Sequence, residues 1–355
     1  MQKVSLFTAS KMVREVIKSN LVPAVFSSPG IGKSSMFADV AKVYNLELID
    51  IRLAQEDPCS LNGFPDINNG RSDFAPPKRF PLEGDPLPDG KNGWLVLFDE
   101  LPSAPKAIQA ASYKIILDRM IGNNRLHENC RIACAGNLMS DGAVVFEMGS
   151  ALRSRMVHIH VESVADGEEG WLTQYAYKAN LDPRVTAFIK YQPSALNMFD
   201  PKKLKTLDAE TFACERTWDF ASKYLQRNYT NKDGSLIKIS HHGRIALEGI
   251  VGPIAREFAV FADHVDELPT LQEILNDPNN ANIPSSRAAQ YLVTTMTAQA
   301  VDANNVANIA TYLLRLPEEF ILVAVRMLYS GKPTMMANKS VQQLTDKVVH
   351  LLSSR

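Results

Sequence analysis

Apolar residues in the first part of the chain fall into five short runs, separated by stretches in which apolar residues recur every three or four positions. Four consecutive apolar residues at 95–98 are typical of a strand buried on both faces of a parallel sheet. The predicted strands cover residues 22–26, 46–53, 94–98, 131–136 and 156–161, and a helix over 10–20 is predicted to precede them. Strands that alternate with helices predict an α/β fold.

Downstream of Val161 the pattern changes to amphipathic helices. Ile250, Ile254 and Phe258, for example, recur with the helical period, and such stripes are typical of helices that pack on a common core. The predicted helices cover residues 170–190, 217–227, 248–265, 288–301, 306–316 and 318–328. The sequence therefore predicts an α/β part followed by an all-helical part.

A glycine-rich segment lies between the first predicted strand and the helix that follows it. Backbone N–H groups at the start of a helix have no partner within the helix and bind phosphate oxygens. Gly30 and Gly32 let the backbone curve around a phosphate. Lys33 is expected to reach the β- and γ-phosphates of a nucleotide, and Ser34 to offer its hydroxyl to Mg²⁺. The predicted phosphate-binding residues are Ser28, Pro29, Gly30, Ile31, Gly32, Lys33, Ser34 and Ser35.

Ser27 stands where the phosphate-binding pattern G-x-x-x-x-G-K-[ST] has its first glycine. Serine is small, so the loop is expected to form with slight strain. The alternative for the whole segment is a glycine turn followed by a surface lysine. The acidic end of the third predicted strand argues against that alternative.

That third strand ends in two carboxylates, Asp99 and Glu100. Open α/β sheets bind ligands at the carboxyl ends of their strands. Asp99 is expected to hold Mg²⁺ directly or through water, and Glu100 to orient or polarise an attacking water. Alone, this segment is equally typical of a strand that ends in a solvated acidic turn. Together with the phosphate-binding segment, it predicts that the chain binds and hydrolyses ATP.

These motifs, and others that follow them in order, resemble the AAA+ ATPases and, within them, the MoxR-like and dynein-related group. The matching stretches are SSPGIGKSS, LVLFDELPSAPKAIQAA, RIACAGNLMSDGA, ALRSRM and ERTWDFASKYL. The resemblance implies a P-loop αβα sandwich with a parallel five-stranded sheet in the order 5-1-4-3-2, then an all-helical lid and a helical C-terminal extension. The corresponding domains are 1–163, 164–265 and 266–355.

The resemblance also implies roles for four further residues. Asn137 resembles sensor 1, which binds the γ-phosphate or the attacking water. Arg155, with Arg153 as a second candidate, resembles the arginine finger that reaches into a neighbouring subunit's site. Arg216 resembles sensor 2 on the lid, although Cys-Glu precedes it where the family has a small residue and Pro. The alternatives are a turn residue at a strand end for Asn137 and a solvated surface charge for each arginine.

The cofactors and partners follow from the same resemblance. ATP and Mg²⁺ are expected to lie between the subunits of a homo-oligomer, a hexamer by analogy. Members of the group act as chaperone-like remodellers, often with a protein that carries a von Willebrand A domain, and short stand-alone versions occur in bacteria and phages. The expected function is therefore ATP-driven remodelling of a protein partner. Two alternatives remain open: a nucleic-acid-associated motor subunit, and a non-hydrolytic nucleotide-binding scaffold, which Ser27 and the altered sensor 2 would favour.

The connection between the second and third predicted strands, residues 55–93, is long and rich in Pro, Gly, Asp and Asn. Long connections within a compact domain are usually functional. In the MoxR-like group this region carries a pore loop and an inserted hairpin, so Phe64 is the candidate for a pore-facing residue. Asn-Asn-Gly at 68–70 indicates a hairpin turn. The alternative is a surface loop with no partner.

Composition bears on three further questions: nucleic-acid binding, zinc binding and membrane association. The 355 residues carry a net charge of −1 and are 45% hydrophobic, which supports a sizeable core and gives no general basic field for nucleic acid. Four scattered cysteines lack the spacing of a zinc site, so reduced thiols in a cytoplasmic protein are expected. No apolar stretch reaches the length of a membrane span, so no membrane association is predicted.

Overall fold

The computed structural model describes residues 1–68, 71–138, 148–202 and 210–353, and the chain divides into two compact units. The first unit comprises Met1–Glu162 with Asp200–Lys205, and the second comprises Ser163–Phe199 with Thr206–Arg355. The predicted boundary between lid and extension at residue 265 stays a prediction.

The first unit alternates strands and helices, as the sequence predicts. Its elements are β1 (Lys3–Val4), α1 (Leu6–Lys18), β2 (Val22–Ser27), α2 (Lys33–Val43), β3 (Glu47–Arg52), α3 (Pro58–Asn62), β4 (Phe64–Asn68), β5 (Arg71–Ala75), β6 (Trp94–Asp99), α4 (Lys106–Asp118), β7 (Met120–Ile121), β8 (Asn124–Arg125), β9 (Cys130–Asn137), α5 (Ser150–Arg153) and β10 (Met156–Val161). Helix α1 begins before the predicted position 10, because Ser5 caps it by accepting a hydrogen bond from the Thr8 N–H at 3.0 Å.

A parallel sheet forms the centre of this unit, in the order β1-β10-β2-β9-β6-β3. The five predicted strands therefore take the order 5-1-4-3-2, and the predicted α/β sandwich is confirmed. The short strand β1 adds a sixth strand at the edge, where Lys3 lies opposite His160. One consequence of the order is that β2 lies between β10 and β9, so Ser27 is opposite Asn137 across the sheet.

Both faces of the sheet are covered by apolar cores. On one face, Leu95 and Leu97 pack with Val13 of α1 and Phe37 of α2. On the other face, Phe98 packs in the core that includes residues of α4. Burying each side chain of this kind stabilises the fold by roughly 1.5–3 kcal/mol. The helices thus hold the carboxyl ends of the strands, where the predicted site lies, on a rigid support.

The long connection between β3 and β6 carries an antiparallel hairpin, β4–β5. Phe64 is opposite Ala75, and the register runs to the pair Asn68 and Arg71. This pairing confirms the predicted hairpin, while the predicted turn residues at 69 and 70 lie outside the described residues. Phe64 is 62% exposed, and its role at a pore stays a prediction.

A bidentate ion pair joins the segment before the β4–β5 hairpin to the segment after it. Arg79, which follows the hairpin, donates to both carboxylate oxygens of Glu56, at 2.8 and 2.7 Å, and to the Ser60 carbonyl at 2.8 Å. The hydrogen bonds from Arg79 lower the pKa of Glu56, in opposition to its desolvation. The ion pair therefore stabilises the fold above the ordinary Glu pKa, and this contribution is lost as the pH falls through the lowered one.

The described residues of the second unit are mostly helical, and their buried apolar side chains form a shared core. Its helices are α6 (Pro183–Tyr191), α7 (Glu215–Asn228), α8 (His241–Val251), α9 (Ala255–Ala262), α10 (Leu271–Asn276), α11 (Arg287–Ala300), α12 (Val306–Leu313), α13 (Glu318–Gly331) and α14 (Lys339–Ser353). Among the helices in the described ranges, none has the length and apolarity needed to cross a membrane.

Two of the predicted helices are broken in the structure. The predicted helix over 170–190 is a π-helical turn (Leu172–Ala176) and then α6, because Asn180 is left-handed at φ 54° and Asp182 caps a new start at Pro183. The predicted helix over 248–265 breaks into α8 and α9 at Gly252, where φ is 76° and a Cβ would lie 2.7 Å from the Thr211 carbonyl oxygen.

Candidate functional site

The loop between β2 and α2 (residues 28–32) has the geometry that glycine permits. Gly30 and Gly32 have φ of 83° and 105°, in the left-handed region that side chains disfavour. Gly32 is the residue before α2, so the free N–H groups of the first helical turn lie directly after the loop. Ile31 is buried, Ser28 and Pro29 are half-buried, and Ser35 is exposed. This is a backbone that can bind an anion.

Lys33 is buried and its ammonium group is surrounded by oxygens. It donates to the Ser27 hydroxyl at 2.9 Å, to the Ser27 and Ser28 carbonyls at 3.3 and 3.4 Å, and to Asn137 Oδ1 at 3.1 Å. The surface-lysine alternative is therefore wrong. The contact with Asn137 joins the first residue of α2 to the last residue of β9, the strand that lies beside β2.

Ser34 and Asp99 meet at the ends of neighbouring elements. The Ser34 hydroxyl donates to Asp99 Oδ2 at 2.7 Å, and Asp99 Oδ1 accepts from the Glu100 N–H at 2.8 Å. A hydroxyl and a carboxylate are hard oxygen donors, which Mg²⁺ prefers. The donor set therefore fits Mg²⁺, with Ser34 and Asp99 as the residues that would hold it.

Glu100 directly follows β6 in a left-handed backbone conformation, with φ of 59°. Non-glycine residues rarely adopt this conformation, and it often occurs at functional sites. This conformation turns the chain after Asp99. The Glu100 side chain is half-buried, and Glu100 is the next residue after Asp99, which binds Ser34. A carboxylate in this position can act as a general base on a water.

Sequence reasoning missed Gly136, the residue before Asn137. A Cβ at Gly136 would lie 2.2 Å from Pro102 Cδ, a distance that real Cβ atoms do not show. Pro102 belongs to the segment that follows Glu100. Gly136 thus lets the chain after β6 pack against β9. The sequence signal was a glycine at the end of an apolar strand, which indicates close backbone approach.

Asp50 is a second residue that the sequence did not single out. It lies on the edge strand β3, next to β6. Desolvation and then the Asp99 carboxylate raise the pKa of Asp50, while Arg52 acts in the opposite direction. Like charges near Asp99 make this end of the sheet a place where a cation is favoured. Asp50 is near Asp99 because β3 lies beside β6, and the spacing of residues along the chain does not give that strand order.

None of the three predicted arginines takes part in the hydrogen bonds described above. Arg153 ends the short helix α5 and Arg155 follows it, and both are exposed. Arg155 donates to the Ala151 carbonyl at 3.1 Å. Arg216 lies in the second unit, exposed in the first turn of α7. Their predicted roles stay predictions.

Comparisons with known proteins add little to this geometry. No protein-family model matches the chain, and no curated protein is significantly similar to it. It is similar to the solved structure of a provisionally assigned ATPase from Cytophaga hutchinsonii, with 14% identity, a TM-score of 0.34, and coverage of 97% of this chain and 88% of that one. It is also similar to NtrX from Brucella abortus in complex with ADP, with 13% identity, a TM-score of 0.39, and coverage of 97% and 69%. Likenesses at such TM-scores carry no argument, so the fold rests on the sheet topology.

Proposed function

We propose that this chain is an ATPase of the AAA+ type, in its MoxR-like group, which hydrolyses ATP with Mg²⁺. The observation that carries the proposal is the 2.7 Å hydrogen bond from the Ser34 hydroxyl to the Asp99 carboxylate. Two residues 65 positions apart, each predicted to bind Mg²⁺, are direct neighbours. If the two segments were an ordinary glycine turn and an ordinary acidic turn, this contact between them would not be expected.

Different residues of the chain are proposed to bind the phosphates, to hold the metal and to activate the water. The N–H groups of the β2–α2 loop and of the first turn of α2 bind the phosphates, and the Lys33 ammonium neutralises charge on the β- and γ-phosphates. Ser34 and Asp99 would hold Mg²⁺, which would neutralise negative charge on the phosphates when bound. Glu100 orients the attacking water and accepts its proton.

Asn137 holds Lys33 through its Oδ1, at 3.1 Å. Its amide N–H₂ group is then directed to a different acceptor, which we propose to be the γ-phosphate or the attacking water. The pair sets the lysine and the amide in one fixed arrangement before substrate binds. Such preorganisation lowers the cost of reaching the transition state.

Assembly completes the proposed site. Arg155, or Arg153, is proposed to reach the nucleotide of a neighbouring copy, and both are exposed on the surface as that role requires. Arg216 is proposed to act as sensor 2, as the family resemblance implies. We propose a hexamer that remodels a protein partner, with a von Willebrand A-domain protein as the candidate. The partner proposal rests on the family resemblance alone.

The test is ATP binding and phosphate release by wild type, Lys33→Ala and Glu100→Gln, with Lys42→Ala as control. Lys42 is an exposed lysine on the same helix. Lys33→Ala is expected to lose binding, Glu100→Gln to bind ATP without turnover, and Lys42→Ala to behave as wild type. Equal turnover in wild type and Glu100→Gln would contradict the proposal.

A second candidate, a non-hydrolytic nucleotide-binding scaffold, is favoured by one observation. Ser27 replaces the first glycine of the pattern and engages Lys33 at 2.9 Å. A lysine held in this way is less available to move with the γ-phosphate. Tight ATP binding by wild type without phosphate release, at any protein concentration and with a partner present, would select this candidate.

A further inference from the structure

His158 is a half-buried residue of β10 whose ring contacts two other elements of the first unit. Its Nε2 lies 2.8 Å from the carbonyl oxygen of Arg153, the last residue of α5. A carbonyl oxygen can only accept a hydrogen bond, so Nε2 is the donor. The same ring stacks on Phe26 of β2, with ring centroids 5.6 Å apart and an angle of 21° between the planes. One imidazole thus joins the end of α5 to the central sheet.

The end of α5 needs a partner from outside the helix. This helix is only four residues long, and so short a helix is stabilised weakly by its own hydrogen bonds. The Arg155 N–H binds the Leu152 carbonyl at 3.1 Å, which forms the turn after the helix. The last carbonyls of a helix have no donor within it, and a nearby histidine can bind them. His158 supplies this bond to Arg153 and so fixes the backbone of the turn.

This turn carries both candidates for the arginine that reaches the nucleotide of a neighbouring copy. Arg153 and Arg155 are exposed. A displacement of about 1 Å at a group that acts on the substrate can lower turnover about 10²-fold, so the backbone under such an arginine has to be held. Phe26 is a firm support, because only 4% of it is exposed and β2 pairs with strands on both sides.

We propose that His158 is a positioning residue for this arginine. Its hydrogen bond fixes the backbone of residues 153–155, so that Arg155, or Arg153, is presented to the neighbouring copy in one arrangement. The proposal rests on the proposed function, because it requires an arginine that acts in a neighbouring copy. His158 itself touches no nucleotide in this account. Its loss is therefore expected to lower turnover without weakening the binding of ATP.

The experiment measures kcat and KM for ATP in the assembled full chain for three variants of His158. His158→Ala removes the ring, whereas His158→Phe keeps a ring that can pack on Phe26 but cannot donate. Both are expected to lower kcat about 10-fold and to change KM by less than about 3-fold, as for loss of positioning. His158→Gln retains an amide donor at the end of the side chain, so it is expected to restore most of kcat.

His160 provides the matched control. It lies two residues later on the same face of β10, it is also half-buried, and its ring meets Phe26 edge-on with centroids 5.9 Å apart. The carbonyl at the end of α5 binds His158, not His160. His160→Gln is therefore expected to leave kcat unchanged. Circular dichroism melting checks that each variant is folded, and mass determination checks that it assembles.

Mixing variants shows in which copy His158 acts. In an equal mixture of His158→Ala and Glu100→Gln, an intact Glu100 meets an intact arginine turn at some interfaces. Turnover of this mixture should exceed the mean of the two variants measured separately. A mixture of His158→Ala with the arginine variant that loses turnover, Arg155→Ala or Arg153→Ala, should equal that mean, because every arginine in it is displaced or missing. A merely structural defect would not distinguish the two mixtures.

Three results would overturn the inference. The first is a wild-type kcat in folded His158→Ala or His158→Phe. The second is a mixture of His158→Ala and Glu100→Gln whose turnover only equals the mean of the two. The third is a wild-type protein without ATP turnover, or one whose turnover needs neither Arg153 nor Arg155. Only this third result also overturns the proposed function.

Discussion

The hydroxyl of Ser27 accepts a hydrogen bond from the ammonium group of Lys33 at 2.9 Å. Ser27 is fully buried, and its own proton is donated to the Ser28 carbonyl at 2.9 Å. An ammonium group has three protons, and four protein oxygens lie within 3.4 Å of this one. The serine in the place of a glycine is therefore a binding partner of the lysine.

Replacing Ser27 by Ala is expected to have opposite effects on stability and on ATP affinity. A phosphate oxygen that binds Lys33 has to take the place of one of the four acceptors, and the variant removes one competitor. We expect the free energy of unfolding to fall by roughly 1 kcal/mol and ATP to bind about 5-fold more tightly. Thermal melting and titration calorimetry measure the two effects.

The matched control for Ser27 is Ser19→Ala, at an exposed serine after α1 that bonds the Glu15 carbonyl. It is expected to leave ATP affinity unchanged. Weaker ATP binding by Ser27→Ala would show instead that the hydroxyl helps to place Lys33 for the phosphate.

Asp99→Asn is expected to reduce the effect of Mg²⁺ on ATP binding. The amide keeps the shape of the side chain but loses the negative charge that a hard cation requires. ATP affinity measured with Mg²⁺ should fall about 10-fold, whereas affinity measured with EDTA should not change. Asp39→Asn, at an exposed position of α2, is the control. Equal losses with and without Mg²⁺ would rule out the metal role.

Asp50→Asn is expected to alter the dependence of stability on pH. The pKa of Asp50 is raised in the folded protein by desolvation and by Asp99. Folding then favours the protonated form, so this residue's contribution to stability falls as the pH rises through the raised pKa. The variant should melt at a higher temperature than wild type at neutral pH, with the difference vanishing in acid. A constant difference at every pH would contradict this account.

Gly136→Ala and Gly249→Ala are expected to change stability in opposite directions. At Gly136 the new methyl group would lie 2.2 Å from Pro102 Cδ. The free energy of unfolding should therefore fall by roughly 1–3 kcal/mol, with a lower melting temperature. At Gly249, within α8, a Cβ meets nothing within 4 Å, so alanine should stabilise by roughly 0.5–1 kcal/mol. A neutral Gly136→Ala would mean that the chain after Glu100 is free to move away.

The first unit was largely predictable because its central strands β2, β6 and β9 are buried on both faces and therefore appear as apolar runs. No end of the five predicted strands differs in the structure from its predicted bound by more than one residue, and both ends of β10 agree with the prediction. The helical breaks at Asn180 and Gly252 were missed because the apolar stripe continues across them. Local signals were present, namely Asp182-Pro183 as a helix start and Gly252-Pro253 as a stop.

The candidate site was predictable only in part. Lys33, Ser34, Asp99 and Asn137 belong to segments whose spacing carries information, and the structure brings these four together. The roles of Ser27, Asp50 and Gly136 depend on which strands are neighbours in space. That order came from a resemblance, because spacing along the chain does not determine it.

The central claim, a shared site for ATP hydrolysis, is tested most directly by mixing two inactive variants. Turnover per chain is measured against protein concentration, with mass determined in parallel, for wild type, Glu100→Gln, Arg155→Ala and an equal mixture of the two variants. We predict that wild-type turnover per chain rises with assembly and that each variant loses about 10³-fold or more. The mixture should regain part of the activity, because an intact Glu100 then meets an intact Arg155 at some interfaces. Wild-type turnover by a monomer, unaffected by Arg155→Ala, would contradict the account.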